Sequence, residues 1–176
     1  KFLWAPLVDR FQPGWPGRRR DWIMLCQLAL AGLLAYVGLT NLAEHNLAML
    51  GVVAFLVAMM SATQDIAIDA YRTEVLSERE RGFGAAVYVT GYRVAMLVSG
   101  AAALVMAERI GFANTYLLMS LIILSGMVFT LIGPPVMDDV KAPKTLEAAV
   151  IGPIKQFFSR DGAYALLLLV LLYKLG

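Results

Sequence analysis

The chain has 176 residues, 60% of them hydrophobic and 16% charged, against roughly 45–50% and about 25% in an average soluble domain. The apolar residues are gathered in long runs, which excludes a disordered chain, a secreted disulfide scaffold and a basic nucleic-acid module. A net charge of +2 exerts no global steering, and the lone Cys26, set in an apolar run, reads as a small buried filler.

A helix crosses the roughly 30 Å hydrocarbon layer with about 20 apolar residues, and no backbone polar group can be left to lipid. In chain order, residues 1–7 read as the end of a preceding span. Residues 22–42 form a charge-free first full span, and residues 47–64 a second that continues through Asp65 and Asp69. Residues 82–107 form a third that carries Arg93, and residues 110–137 a charge-free fourth ended by Pro134 and Pro135. A further apolar segment, 162–173, runs into Lys174 and stops at Gly176, so the chain reads as a piece of a longer protein. The expected architecture is an all-α polytopic membrane bundle with four complete spans and two partial ones.

The connections alternate in charge. Lys1, Arg10, Arg18, Arg19 and Arg20 precede the first full span, Arg72, Arg79 and Arg81 lie between the second and third, and Lys141, Lys144, Lys155 and Arg160 follow the fourth. The opposite connections, residues 43–46 and 108–109, hold a single basic Lys/Arg side chain, Arg109. The positive-inside rule makes the first set cytoplasmic. Residues 136–160 read as a long cytoplasmic bridge, with Leu146, Val150, Ile154 and Phe158 spaced for an interfacial helix after Thr145 that Pro153 kinks or interrupts.

Ionisable residues inside a span cost several kcal/mol unless paired or hydrated, and commonly mark an ion or substrate path. Here they are Asp65, Asp69, Arg93 and Lys174. Asp65 and Asp69 share a helix face at i, i+4, with Gln64 beside them and Arg72 three residues beyond Asp69. If the turn between the second and third spans centres near Arg79 and Glu80, Asp65 lies level with Arg93. Two readings follow and are compatible: Asp69–Arg72 and Asp65–Arg93 as structural pairs, or Asp65 or Asp69 as a proton acceptor whose state is coupled to substrate arrival. Arg93 and Lys174 leave a cationic surplus suited to an anionic substrate.

Gly91, Ala95, Ser99 and Ala103 make a small-residue stripe that lets a neighbouring helix approach closely, with Gly84 and Gly100 adding bare surface. Tyr88 and Tyr92 either line a polar cavity or fill packing gaps, Tyr116 reads as packing, and His45 as a solvated loop residue. No phosphate-cradling loop, metal-ligand spacing or nucleophile elbow points to an enzyme; no metal or cofactor is expected.

The segment Leu7, Asp9, Arg10, Gly17, Arg18, Arg19 and Arg20 resembles the cytoplasmic loop motif of the major facilitator superfamily, Gly-x-x-x-Asp-Arg-x-Gly-Arg-Arg, with Ala5 in place of its first Gly and residues 12–16 inserted. The runs Lys1-Phe2-Leu3-Trp4-Ala5-Pro6-Leu7-Val8-Asp9-Arg10 and Ser61-Ala62-Thr63-Gln64-Asp65-Ile66-Ala67-Ile68-Asp69-Ala70 are similar to the AmpG-type muropeptide permeases of that superfamily, as are Gly91-Tyr92-Arg93 and Tyr173-Lys174-Leu175-Gly176. The resemblance covers essentially the whole chain and extends to acetyl-coenzyme A transporters. It implies that residues 1–137 belong to an N-terminal six-helix half (the end of span two and spans three to six), 138–160 to the linker between halves, and 161–176 to the start of span seven.

The implied function is proton-driven import of N-acetylglucosaminyl-anhydro-N-acetylmuramyl peptides across the bacterial inner membrane for cell-wall recycling, with the proton gradient in place of a cofactor. The implied roles are proton coupling for Asp65 and Asp69, substrate or charge-pair contacts for Gln64, Tyr92, Arg93 and Lys174, and a cytoplasmic gate for Asp9, Arg10, Gly17, Arg18 and Arg19. The implied partners are the lipid bilayer and an anionic muropeptide, with no nucleic acid. A transporter of another anion such as acetyl-coenzyme A, and a non-transporting scaffold or intramembrane enzyme, are the competing expectations.

Overall fold

A computed structural model describes residues 18–42, 46–134, 152 and 155–175. Its regular elements are all helices: α1 (Arg18–Thr40), α2 (Leu47–Val75), α3 (Arg81–Leu97), a π-turn (Val98–Ala102), α4 (Ala103–Ile110), α5 (Phe112–Ile132) and α6 (Ala163–Leu175). Among the described residues four helical stretches are long and apolar enough to cross a membrane, namely Arg19–Thr40, Leu47–Val75, Arg81–Ile110 and Phe112–Ile132. The third runs through α3, the π-turn and α4. The protein is therefore a multi-pass, all-α membrane bundle, and its four spans are those the apolar runs predict.

The helix ends differ from the expected ones for local reasons. α1 begins at Arg18, four residues early, so Asp21 falls in its first turn, where the helix dipole favours a carboxylate. α4 continues through Glu108 and Arg109, which the sequence reading left in a loop, and Arg109 sits in the last turn, where a cation is favoured. The connection to α5 is Gly111 alone, at φ 82°, a conformation that strongly favours glycine. α5 stops at Ile132, before Gly133 and Pro134, because Pro134 cannot continue the hydrogen-bond ladder. At the opposite connection, Asn41 takes φ 47°, and the Asn46 side chain accepts the Met49 N–H at 3.0 Å to cap α2.

The described helices fall into two compact units, α1 to α5 in one and residues 155–175 in the other. In the first, α1 packs along both α5 and α2, and α4 packs along α5. Close approach depends on missing side chains: a Cβ on Gly38 of α1 would lie 2.7 Å from the Ala113 carbonyl oxygen of α5. Polar side chains join the same pair. The Ser120 hydroxyl donates to the Ala31 carbonyl at 2.8 Å, and the Thr130 hydroxyl donates to Gln27 Oε1 at 3.2 Å. Val37, Leu42 and Val53 form a buried cluster near the opposite end, with Tyr116 packed against it. Cys26 is fully buried, the filler role its apolar surroundings suggest.

In the second unit, a helical turn at 155–158 leads through Gly162 (φ 81°) into α6. Phe158 stacks edge-on with Phe157 at 5.4 Å between ring centres and lies 5.7 Å from Tyr164. The rest of the expected interfacial helix, from Thr145, lies outside the described residues apart from residue 152.

Candidate functional site

α2 is 29 residues long, roughly 43 Å at about 1.5 Å per residue. It therefore exceeds the hydrocarbon layer and carries its last polar turns to the Arg-rich end of the bundle. Thr63 and Ala67 are buried on its packed side. Asp65 and Asp69 each stand two residues further on, about 200° round the helix, and both are half-buried, as is Gln64. Asp65 is ten residues before the helix end at Val75, about 15 Å deeper along the axis.

Asp69 lies near the exit of α2. Its Oδ1 is 3.4 Å from Arg72 Nη2, the pairing expected from the i, i+3 spacing. Arg72 also sits over the Tyr88 ring of α3, 4.5 Å from its centre, so one guanidinium links an acid of α2 to an aromatic ring of α3. Tyr92 and Arg93, one turn further along α3, are exposed. Among the described residues no ion pair joins Asp65 to Arg93. The physical reason is that α3 leaves α2 after its first turns: every residue from Val89 to Leu97 is exposed.

Three helix ends meet at the Arg-rich side. Arg19, at the start of α1, donates from Nε and Nη2 to Glu74 Oε1 of α2 at 3.0 and 2.8 Å. The two side chains are 10% and 20% exposed, so this ion pair is largely desolvated. Arg20 donates from Nη2 to the Leu131 carbonyl, one of the acceptors left over at the end of α5. The Tyr71 hydroxyl of α2 donates to the Pro134 carbonyl at 2.8 Å, and a side chain on Gly133 would collide with that hydroxyl at 2.7 Å. The arginines of the loop motif thus hold α1, α2 and α5 at one end.

Glu74, Tyr71 and Gly133 were not anticipated. Arg19 and Glu74 are 55 residues apart in sequence, and no periodicity pairs residues across that distance. The short turn between α2 and α3 is itself fastened: the Ser77 hydroxyl donates to Glu80 Oε2 at 2.6 Å and the Ser77 N–H at 3.1 Å. These bonds, the hydroxyl's first, hold the exposed Glu80 carboxyl below its ordinary pKa.

Asp9, Arg10 and Gly17 lie outside the described residues, as does the side chain of Arg18, whose backbone opens α1. Lys174 lies in α6 as backbone, with its side chain likewise outside them. The small-residue stripe has a clear location. Gly91, Ala95, Ser99 and Ala103 line one wall of a groove of about 790 Å³, and Phe112, Tyr116 and Met119 of α5 line the other. Gly84 belongs elsewhere, lying against Leu76 at the start of α3.

The sequence matches the model of the Major Facilitator Superfamily over residues 1–175. It is 44% identical, over its full length, to the anhydromuropeptide permease of Escherichia coli K12, covering 36% of that protein. It is 40% identical to an uncharacterized Haemophilus influenzae protein, covering 42% of it, and 32% identical to a Rickettsia felis protein that carries the transporter name AmpG 4, covering 45% of it; both matches extend over the full chain. The chain spans less than half the length of these relatives. With its family model, its four membrane-crossing helices and its relatives in agreement, the chain belongs to the major facilitator superfamily.

Proposed function

We propose that these spans are part of a proton-coupled permease that imports anhydromuropeptides from the periplasm to the cytoplasm across the bacterial inner membrane. The observation that carries this reading is the 44% identity over the whole chain to a protein named for that substrate. In this reading residues 1–137 belong to the first half-bundle, 138–160 to the linker and 161–176 to the start of the second half.

In this reading the acids of α2 and the basic residues Arg93 and Lys174 supply the chemistry. Asp65 is the deeper carboxylate within the span, and a half-buried carboxylate there is a group that can take and release a proton as its surroundings change between two access states. Asp69, paired with Arg72, stands nearer the end of the span and is the second candidate. Arg93 and Tyr92, with Lys174 of α6, are the proposed contacts for the acidic peptide of the substrate, and Gln64 a neutral polar one. Arg19 acts with Glu74 at the cytoplasmic end, where Asp9, Arg10, Gly17 and Arg18 complete the gate motif.

Uptake of labelled anhydromuropeptide into membrane vesicles that contain the full chain tests the substrate class. Competition by unlabelled anhydromuropeptide, and none by coenzyme A thioesters, supports the proposal. The reverse pattern would replace it with acyl-coenzyme A transport, and absence of uptake in well-folded protein would remove the transport reading altogether.

A further inference from the structure

Asp65, Asp69 and Arg72 stand at i, i+4 and i+7 on α2. At about 100° per residue this spacing puts all three within about 60° of one another, on one helix face. The buried Thr63 and Ala67 lie on the opposite side of the helix. The face that carries the two acids therefore ends in an arginine, about 10 Å beyond Asp65 toward the Arg-rich end.

Arg72 is held in a way that suits it to grip a carboxylate. Its guanidinium lies over the Tyr88 ring, 4.5 Å from the ring centre, so one flat face of the group rests on an aromatic surface. Stacking occupies the face and leaves the edge, where the N–H donors of a guanidinium point outward in its own plane. Asp69 Oδ1 meets that edge at Nη2, at 3.4 Å. A contact of this length is weak and uses one donor of the fork, so Asp69 aligns the group without saturating it. A guanidinium fixed in this way loses little freedom when a second carboxylate arrives edge-on.

The substrate of the proposed function has a sugar part and an acidic peptide arm. An extended peptide advances about 3.3 Å per residue, so an arm of three residues covers the distance from the level of Asp65 to Arg72. We propose that Arg72 is a specificity-determining contact for the terminal carboxylate of that peptide, and that Tyr88 is the residue that positions it. The inference rests on the muropeptide reading and deepens it: the substrate lies along α2 with its peptide toward the cytoplasmic end and its sugars behind.

The test measures binding to the full chain in nanodiscs of zwitterionic lipid, where no lipid anion competes for the arginine. Labelled anhydromuropeptide is displaced by two unlabelled probes that differ only at the end of a three-residue peptide, one a free carboxylate and the other a primary amide. The parent protein should bind the acid about tenfold more tightly, the gain expected from a charge-assisted hydrogen bond. Arg72→Gln should abolish that preference by weakening the acid alone. Tyr88→Leu should reduce it in part, and Tyr88→Phe, which keeps the ring, should preserve it. A merely structural role would weaken both probes equally and leave the preference intact. Equal binding of the two probes by the parent protein overturns the proposal, and so does a parent-like preference in Arg72→Gln. Should Arg72→Gln fail to fold and bind neither probe, Tyr88→Leu carries the test: a reduced preference supports the proposal and an unchanged one overturns it. A folded parent protein that binds no anhydromuropeptide removes the muropeptide reading itself, whereas one that binds both probes alike removes only the role of Arg72.

Discussion

Arg19 holds Glu74 through two hydrogen bonds to one carboxylate oxygen, at 3.0 and 2.8 Å, and so fastens the start of α1 to the end of α2 where both side chains are largely out of water. Removing one partner strands the other charge in a low-dielectric setting, which typically costs about 3 kcal/mol or more. Glu74→Gln and Arg19→Gln should each lower the thermal midpoint in detergent by several degrees. Exchanging the two residues should recover more of the loss than the single changes predict by addition, as a double-mutant cycle would measure.

A second prediction concerns the contact between α1 and α5. Gly38→Ala places a methyl group 2.7 Å from the Ala113 carbonyl oxygen, and overpacking of this kind costs about 1–3 kcal/mol. Gly32→Ala, on the same helix, meets nothing within 4 Å and should be neutral or stabilising by up to about 1 kcal/mol from helix propensity. Thermal unfolding of the two variants side by side checks the contrast.

Ser120→Ala removes a buried hydroxyl that donates to the Ala31 carbonyl at 2.8 Å. The expected loss is small, about 0.6 kcal/mol, because the carbonyl keeps its helical partner and interhelical hydrogen bonds within membranes are individually weak. A loss several times larger in a denaturation curve would mean that the site packs differently.

The turn after α2 responds to acid. With its pKa lowered by Ser77, the Glu80 carboxylate favours the folded turn above its ordinary titration range, and that preference is lost as the pH falls through the depressed value. Ser77→Ala should return the Glu80 pKa upward toward its ordinary value. A carbon-13 NMR titration of the Glu80 carboxyl reads the upward shift directly.

The spans were legible because each is a charge-free or nearly charge-free run of sufficient length, and the Arg-rich ends because the opposite connections hold a single arginine, Arg109. Asp69–Arg72 was legible too, since an i, i+3 spacing on a helix carries its own geometry. Arg19–Glu74 was not: it joins residues 55 apart, and only the packing of α1 on α2 brings them together. The expected Asp65–Arg93 level matched depth along two antiparallel helices, but depth does not fix lateral separation, and α3 diverges from α2 after Tyr88. The π-turn escaped for another reason. Val98, Ser99, Gly100, Ala101 and Ala102 are small or apolar residues that an ordinary helix also accepts, so a wide turn there leaves no local signature.

The central claim is that a proton gradient drives anhydromuropeptide through these spans, with Asp65 as the proton-coupling carboxylate. It is tested most directly by uptake into proteoliposomes that hold the full chain, with an acid-outside gradient imposed and then collapsed by a protonophore. Labelled anhydromuropeptide should accumulate above its outside concentration only while the gradient persists; Asp65→Asn should lower that accumulation about tenfold or more yet leave gradient-independent exchange, and Asp69→Asn should lower it less. Equal uptake with and without the gradient, or full accumulation by the Asp65→Asn protein, would contradict the account.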